Sequence, residues 1–260
     1  MGHIRLGPLP RTRRWVAVVG LIRGGAAAAQ VATAAAHAAE KWLARAANDP
    51  SVVEAVWLLL RLPHAARADD FCSALAGLRV HVPASPGLIG LVGAVSAAID
   101  AAVPPGKRTD LGEMAQAAAA EALTGVIGPR LPALFGADPD DVRREVGRLA
   151  TPKQFGVLAR DFFARLSHRV LDYFLSKALP AEVGEGKRFR TTAAHAAFAA
   201  ALDTHCREAA GILATYSGDW LSKNHYETGG NITRDLAAAF TGYAMTKLSG
   251  ELRRRDADAA

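Results

Sequence analysis

Apolar residues recur at intervals of three and four along nearly the whole chain, and no stretch sustains an alternation in steps of two. That spacing predicts helices throughout. A short apolar helix is expected over 11–23, ended by Gly24 and Gly25, and an alanine-rich one over 26–47. Asp49 and Pro50 read as an N-cap and first-turn proline. The helix they open carries Val53, Val56, Trp57 and Leu60 on one face and is expected to stop before Pro63. A short helix over 68–78 and a Gly/Ala-rich apolar helix over 87–102 follow. Thr109 and Asp110, with Glu113, cap a helix running to about 128, and Asp138 and Pro139 start another.

Thr151 and Gln154 have the spacing of a capping box. They open the strongest amphipathic pattern in the chain, with Phe155, Leu158, Phe162, Leu166, Val170, Tyr173 and Phe174 on one stripe. A long helix is expected over 191–216 and a last one over 232–255, capped by Asn231. The connections are a proline loop at Pro83 and Pro86, a Gly- and charge-rich loop at 181–190, and an irregular polar and aromatic loop at 217–230. Residues 78–82 have the composition of a strand but no partner strand to pair with. The reading is an all-α, compact multi-helix bundle of eight or more helices. Residues 1–24 form a basic N-terminal arm and short helix, and 25–260 a single all-helical domain with one candidate joint at 181–190.

Composition agrees with this. Half of the 260 residues are hydrophobic and 22% are charged, far from the signature of disorder. Aromatics are only 7%, so alanine must supply much of the helix-to-helix contact. The two cysteines, Cys72 and Cys206, stand far apart without a neighbouring His pair. A disulfide framework and a zinc site of ordinary spacing are therefore excluded, and both thiols are expected to be buried. No metal and no cofactor is implied.

Charge changes the picture. The first 39 residues hold five arginines and no acid, and residues 1–48 hold seven Lys/Arg against Glu40 alone, a net +6 equal to that of the whole chain. Arg5, Arg11, Arg13 and Arg14 thus form a positive end on a neutral body, as expected of a segment that meets something anionic. Basic side chains in a first helical turn also oppose the helix dipole unless an anion compensates them. Arg13 and Arg14 before the apolar run 15–22 imitate a twin-arginine export signal in outline. Arg23 and the two glycines break that run after eight residues, and Trp42 and Leu43 continue a helical pattern beyond it, so a cytoplasmic location is expected.

The remaining chemistry is sparse. Trp220, Lys223, His225 and Tyr226 in the 217–230 loop are candidate partner contacts, because exposed Trp and Tyr are favoured binding anchors. Asp203, His205, Cys206, Arg207 and Glu208 are the densest titratable cluster. Asp203 and Arg207 are placed to pair, while His205 and Cys206 point about 100° apart on a helix and make a poor nucleophile pair. Arg190 and His195 have the spacing used by helical ribonucleases of the HEPN type. With eight His and 24 Arg, however, about two such matches arise by chance, and two are present.

The leading expectation is a non-enzymatic helical subunit or adaptor of a larger bacterial assembly, with a protein partner or nucleic acid at the basic arm. An anti-phage system is one conceivable setting, although no residue shows it. The alternatives are a helical ribonuclease around Arg190 and His195, or a membrane-active effector using residues 87–102. The latter stretch is expected to be a buried central helix, being too short to span a bilayer.

Overall fold

The computed structural model describes residues 7–132 and 137–254. They form twelve α-helices: α1 (Arg13–Arg23), α2 (Ala28–Ala38), α3 (Glu40–Ala46), α4 (Pro50–Ala65), α5 (Phe71–Gly77), α6 (Leu88–Ala101), α7 (Asp110–Ile127), α8 (Pro139–Arg148), α9 (Pro152–Leu175), α10 (Thr192–Ala209), α11 (Ile212–Thr228) and α12 (Arg234–Arg254). Among the described residues no strand forms, and an isolated β-bridge joins Val183 and Phe189. The fold is all-α and compact.

The strongest amphipathic helix of the sequence is the structural axis. α9 packs between α7, α10 and α11. Its Phe155, Phe162, Phe163, Leu166, Val170 and Phe174 are almost wholly excluded from solvent. Each such side chain stabilises the fold by about 1.5–3 kcal/mol. The closest approach is to α11. A Cβ added to Gly156 would lie 2.1 Å from the Ala214 carbonyl oxygen, and one on Gly218 would lie 2.9 Å from that of Pro152. Glycine at both positions is what lets the two backbones touch. Phe240 of α12 then closes the core against Phe155, Phe163, Tyr216 and Trp220.

α1 is part of the same core. Trp15, Val18 and Ile22 are at most 1% exposed, and the Trp15 ring lies 5.0 Å from Phe174. The 181–190 segment is also held. Arg23 pairs with the buried Glu182 at 2.8 Å, Arg188 donates to the Ala26 carbonyl, and Phe189 is buried beside Phe198.

Several local expectations are corrected. The 26–47 helix divides at Ala39 into α2 and α3. α4 continues through Pro63, because proline in the last turn forfeits a single hydrogen bond while Leu62, Pro63 and Ala65 are all buried. The 217–230 loop is instead helix α11, and the break falls earlier, at Ala210 and Gly211. The buried face of α11 is narrow (Leu213, Ser217, Gly218, Leu221, Asn224), and only two of its five members are large and apolar, which hides its period in the sequence.

Thr151 forms no capping bond. Its hydroxyl donates to the Arg148 carbonyl, and Gln154 accepts from Arg130. Thr233, not Asn231, caps α12 by accepting from the Leu236 N–H. Residues 78–82 leave α5 through a turn at 78–79 and form no strand. Cys206 is buried, whereas Cys72 is only partly so. α6 is peripheral rather than central. Leu91, Val95 and Ile99 face inward on α7 and α4, while Gly90, Gly93 and Ala97 face outward and Ile89 is 89% exposed.

Candidate functional site

The basic arm is the sequence feature that the structure develops furthest. Thr12 caps α1 by accepting from the Trp15 N–H. Tyr173 of α9 and Lys177 just beyond its end both donate to the Gly7 carbonyl, which ties the start of the described chain to the bundle. Arg14 turns from the first turn of α1 toward the α2–α3 junction. It donates to the His37 carbonyl at 2.9 Å and pairs with Glu40 at 3.0 Å. Arg253, from the last turn of α12, takes the other oxygen of the same carboxylate at 2.8 Å. The two ends of the chain therefore meet on Glu40. Its carboxyl is held below the ordinary value, first by the hydrogen bond from Arg14 and then by the charge of Arg253.

Glu40 compensates Arg14, as the dipole argument requires. It does not compensate the rest. Arg11 and Arg13 are exposed, and no carboxylate pairs with either among the described residues. Lys41 is exposed beside Glu40, and Arg254 is paired with Glu251. Arg14 and Arg253 thus converge on Glu40, and Arg11, Arg13, Lys41 and Arg254 lie within three positions of one of these three residues along the chain, six cations against the acids Glu40 and Glu251. Arg5 lies outside the described residues. Arg253 and Arg254 were not legible in the sequence, because no local pattern links α12 to a segment some 200 residues earlier.

The four residues of the expected 217–230 loop lie on α11 and do not form one site. Trp220 packs on Phe240 with ring centroids 4.7 Å apart, so it is a core anchor. Lys223 faces solvent near Glu227, and Tyr226 is 91% exposed. His225 stacks on His64 of α4, centroids 5.1 Å apart and planes 11° from parallel. This contact belongs to a seam along α4 whose positions 54, 57, 61 and 64 form one helical stripe. Glu54 holds Arg234 through two bonds of 2.6 and 2.7 Å. Trp57 donates to the Ile232 carbonyl at 3.0 Å and lies under the Arg234 guanidinium at 3.7 Å. Arg61 donates to the Gly230 carbonyl at 3.0 Å. The seam fixes the α11–α12 turn. Burial, then the charges of His225, Arg67 and Arg61, push the His64 pKa down to about 4, so the ring is neutral at pH 7.

The enzymatic candidates gain little. His195 lies edge-on to Phe189 at 5.4 Å, Arg190 points into solvent, and no hydrogen bond joins the two. That packing lends no support to ribonuclease chemistry. Burial pushes the Cys206 thiol up to about 12, which leaves it protonated and unreactive. Asp203 does pair with Arg207 at 2.6 Å, and Arg207 also reaches Asp161. That pair extends a network in which Glu121 and Asp161 hold Arg165, so two arginines of the cavity between α7, α9 and α10 are paired, whereas Arg130 donates to the Gln154 amide and Arg160 to the Arg207 carbonyl.

No group of His, Cys, Asp and Glu able to hold a metal ion occurs among the described residues, and none of their helices is long and apolar enough to cross a membrane. Comparison with family models, curated proteins and solved structures found no match.

Proposed function

We propose that this chain is a non-catalytic helical subunit or adaptor whose basic end contacts an anionic macromolecule, either the phosphates of a nucleic acid or the carboxylates of a protein partner. The observation that carries this reading is the convergence at Glu40. Arg14 and Arg253 come from the first and last helices and share one carboxylate, and Arg11, Arg13 and Lys41, within three positions of Arg14 or Glu40 along the chain, are exposed without a carboxylate partner among the described residues. Cations gathered at such a density repel one another, and a bound polyanion relieves that cost. The helices beneath are rigidly packed through Trp15 and Phe174, so the surface is ordered before it binds.

Replacing Arg11, Arg13 and Arg14 by Ala tests the reading. With nucleic acid as the partner, affinity falls steeply with salt. The triple variant then flattens the slope of log K against log salt by roughly two to three units, with little sequence dependence. With an acidic protein as the partner, nucleic-acid binding is absent from the start and the complex recovered with the wild type is lost. A triple variant that changes neither, and only melts earlier, makes this end purely structural.

A further inference from the structure

A second place in the fold combines a cavity, an unpaired cation and a backbone conformation that its residue does not favour. Helix α5 ends in a Schellman motif, with the Val80 N–H bonded to the Leu75 carbonyl and the Arg79 N–H to that of Ala76, each at 2.9 Å. The motif needs a left-handed residue at position 79, where glycine is the usual occupant. Here the residue is arginine, at φ 63°, the one non-glycine with positive φ among the described residues. Gly77 stands two positions too early to take the role. The strain has no local return, because among the described residues no carboxylate pairs with Arg79.

The Arg79 side chain instead lines a cavity of about 570 Å³ between the start of α4, the outer half of α6 and the first turn of α12. One wall is apolar and smooth, built from Val53 and the α6 alanines Ala94, Ala97 and Ala101. The polar groups are Arg79, His81, and the Glu54–Arg234 pair, in which both carboxylate oxygens are already bonded to the guanidinium. Since that pair is internally neutral, the cavity carries one net positive charge, that of Arg79, with His81 as an additional donor. A cavity of this size with an apolar wall and a single unmatched cation has the chemistry of a small-molecule site.

We propose that this cavity binds a small, free, anionic amphiphile. Its apolar body lies on the alanine wall, and its carboxylate or phosphate head is held by the Arg79 guanidinium with help from His81. The site is separate from the basic end, so it gives the subunit a ligand-responsive surface in addition to its partner-binding one.

Octanoate, octyl phosphate and the uncharged 1-octanol are suitable probes, titrated into the full-length protein and followed by calorimetry and by NMR of the alanine methyls. Octanoate and octyl phosphate are expected to bind with a dissociation constant of about a millimolar or below, and to shift the α6 alanine methyls. 1-Octanol is expected to bind about tenfold more weakly or worse. Arg79→Gly separates the ligand role from a structural one. It should raise the midpoint of thermal unfolding by about 2–4 °C, because glycine is at ease at positive φ, while weakening octanoate about tenfold and leaving 1-octanol unchanged. Ala97→Glu, at an exposed position on the wall, should also repel octanoate without disturbing the core. Three results would overturn the proposal: equal affinity for octanoate and 1-octanol, octanoate affinity unchanged by both variants, or no octanoate binding at about 10 mM. Phosphatidylglycerol vesicles present the same head-group chemistry in a bilayer. If Arg79→Gly abolishes their co-sedimentation with the protein while free octanoate does not bind, the free ligand is replaced by a lipid surface.

Discussion

Glu54 and Glu40 make the same chemical contact in opposite surroundings. Each carboxylate binds arginine from α12, Arg234 for Glu54 and Arg253 for Glu40. The Glu54 side chain is 8% exposed, has a single bidentate partner, and lies beside Trp57, whose ring that same guanidinium covers. Glu40 is 48% exposed and is shared by two arginines among further cations. The first arrangement is internally balanced, one carboxylate bound through both oxygens to one guanidinium. The second has a surplus of positive charge that faces water. An ion pair of the first kind fixes one packing of α4 on the α11–α12 turn, whereas one of the second kind contributes little to stability and leaves charge free for a partner.

The largest expected effect is on folding. Glu54→Ala leaves Arg234 unmatched over Trp57 and should lower stability by about 2–4 kcal/mol, less than for a fully buried pair because Arg234 is half exposed. Glu40→Ala should change it by about 1 kcal/mol or less. Urea unfolding of both variants at one ionic strength measures the difference, and equal losses would erase the distinction drawn between the two regions.

Acid should separate the regions next. The folded His64 has its pKa lowered from 6.5 to about 4, so the unfolded chain binds more protons between those values. Stability contributed by neutral His64 is therefore full above pH 6.5 and is lost as pH falls toward 4. Glu40 is a carboxylate with a lowered pKa, so its contribution is full above about 4.5 and is lost only below that. On lowering the pH to 5, amide protection factors, taken relative to intrinsic exchange at each pH, should fall over 225–232 while those of the α1 and α3 amides near Glu40 hold. In His64→Leu the change over 225–232 should flatten. A uniform fall in protection across both regions would contradict the assignment.

The smallest effect is expected in binding. Glu40→Gln removes one acid from the basic end and should strengthen association with a polyanion by about twofold to tenfold at low salt, with the gain lost as salt rises. Titration of a labelled oligonucleotide, or of the acidic partner once identified, measures this. Weaker binding by Glu40→Gln would mean that Glu40 chiefly orients Arg14 and Arg253.

Much of the fold was legible because the residues that fix it are local. Phe155, Leu158, Phe162, Leu166 and Val170 announce α9 through spacing alone, and Asp49, Thr109 and Asp138 do cap the helices expected of them. Misreadings arose where a helix buries little or is interrupted by a neighbour's demand. α11 was read as a loop because its buried positions include Ser217 and Asn224, and its Trp220 looked like a free anchor until Phe240 came to meet it. α6 was read as central because nothing in a run of Gly, Ala and Leu says which side faces water.

The sequence by itself determined that this protein is helical, where most helices begin, and that its positive charge gathers at the N-terminal end. Periodicity, capping and charge are properties of neighbouring residues and need no fold to be read. Only the tertiary structure decided that Arg14 and Arg253 share Glu40, that His225 stacks on His64, and that Arg79 opens onto an alanine-walled cavity. Each of these joins segments far apart along the chain. Their meeting depends on how the helices pack, which the side chains along one helix do not encode.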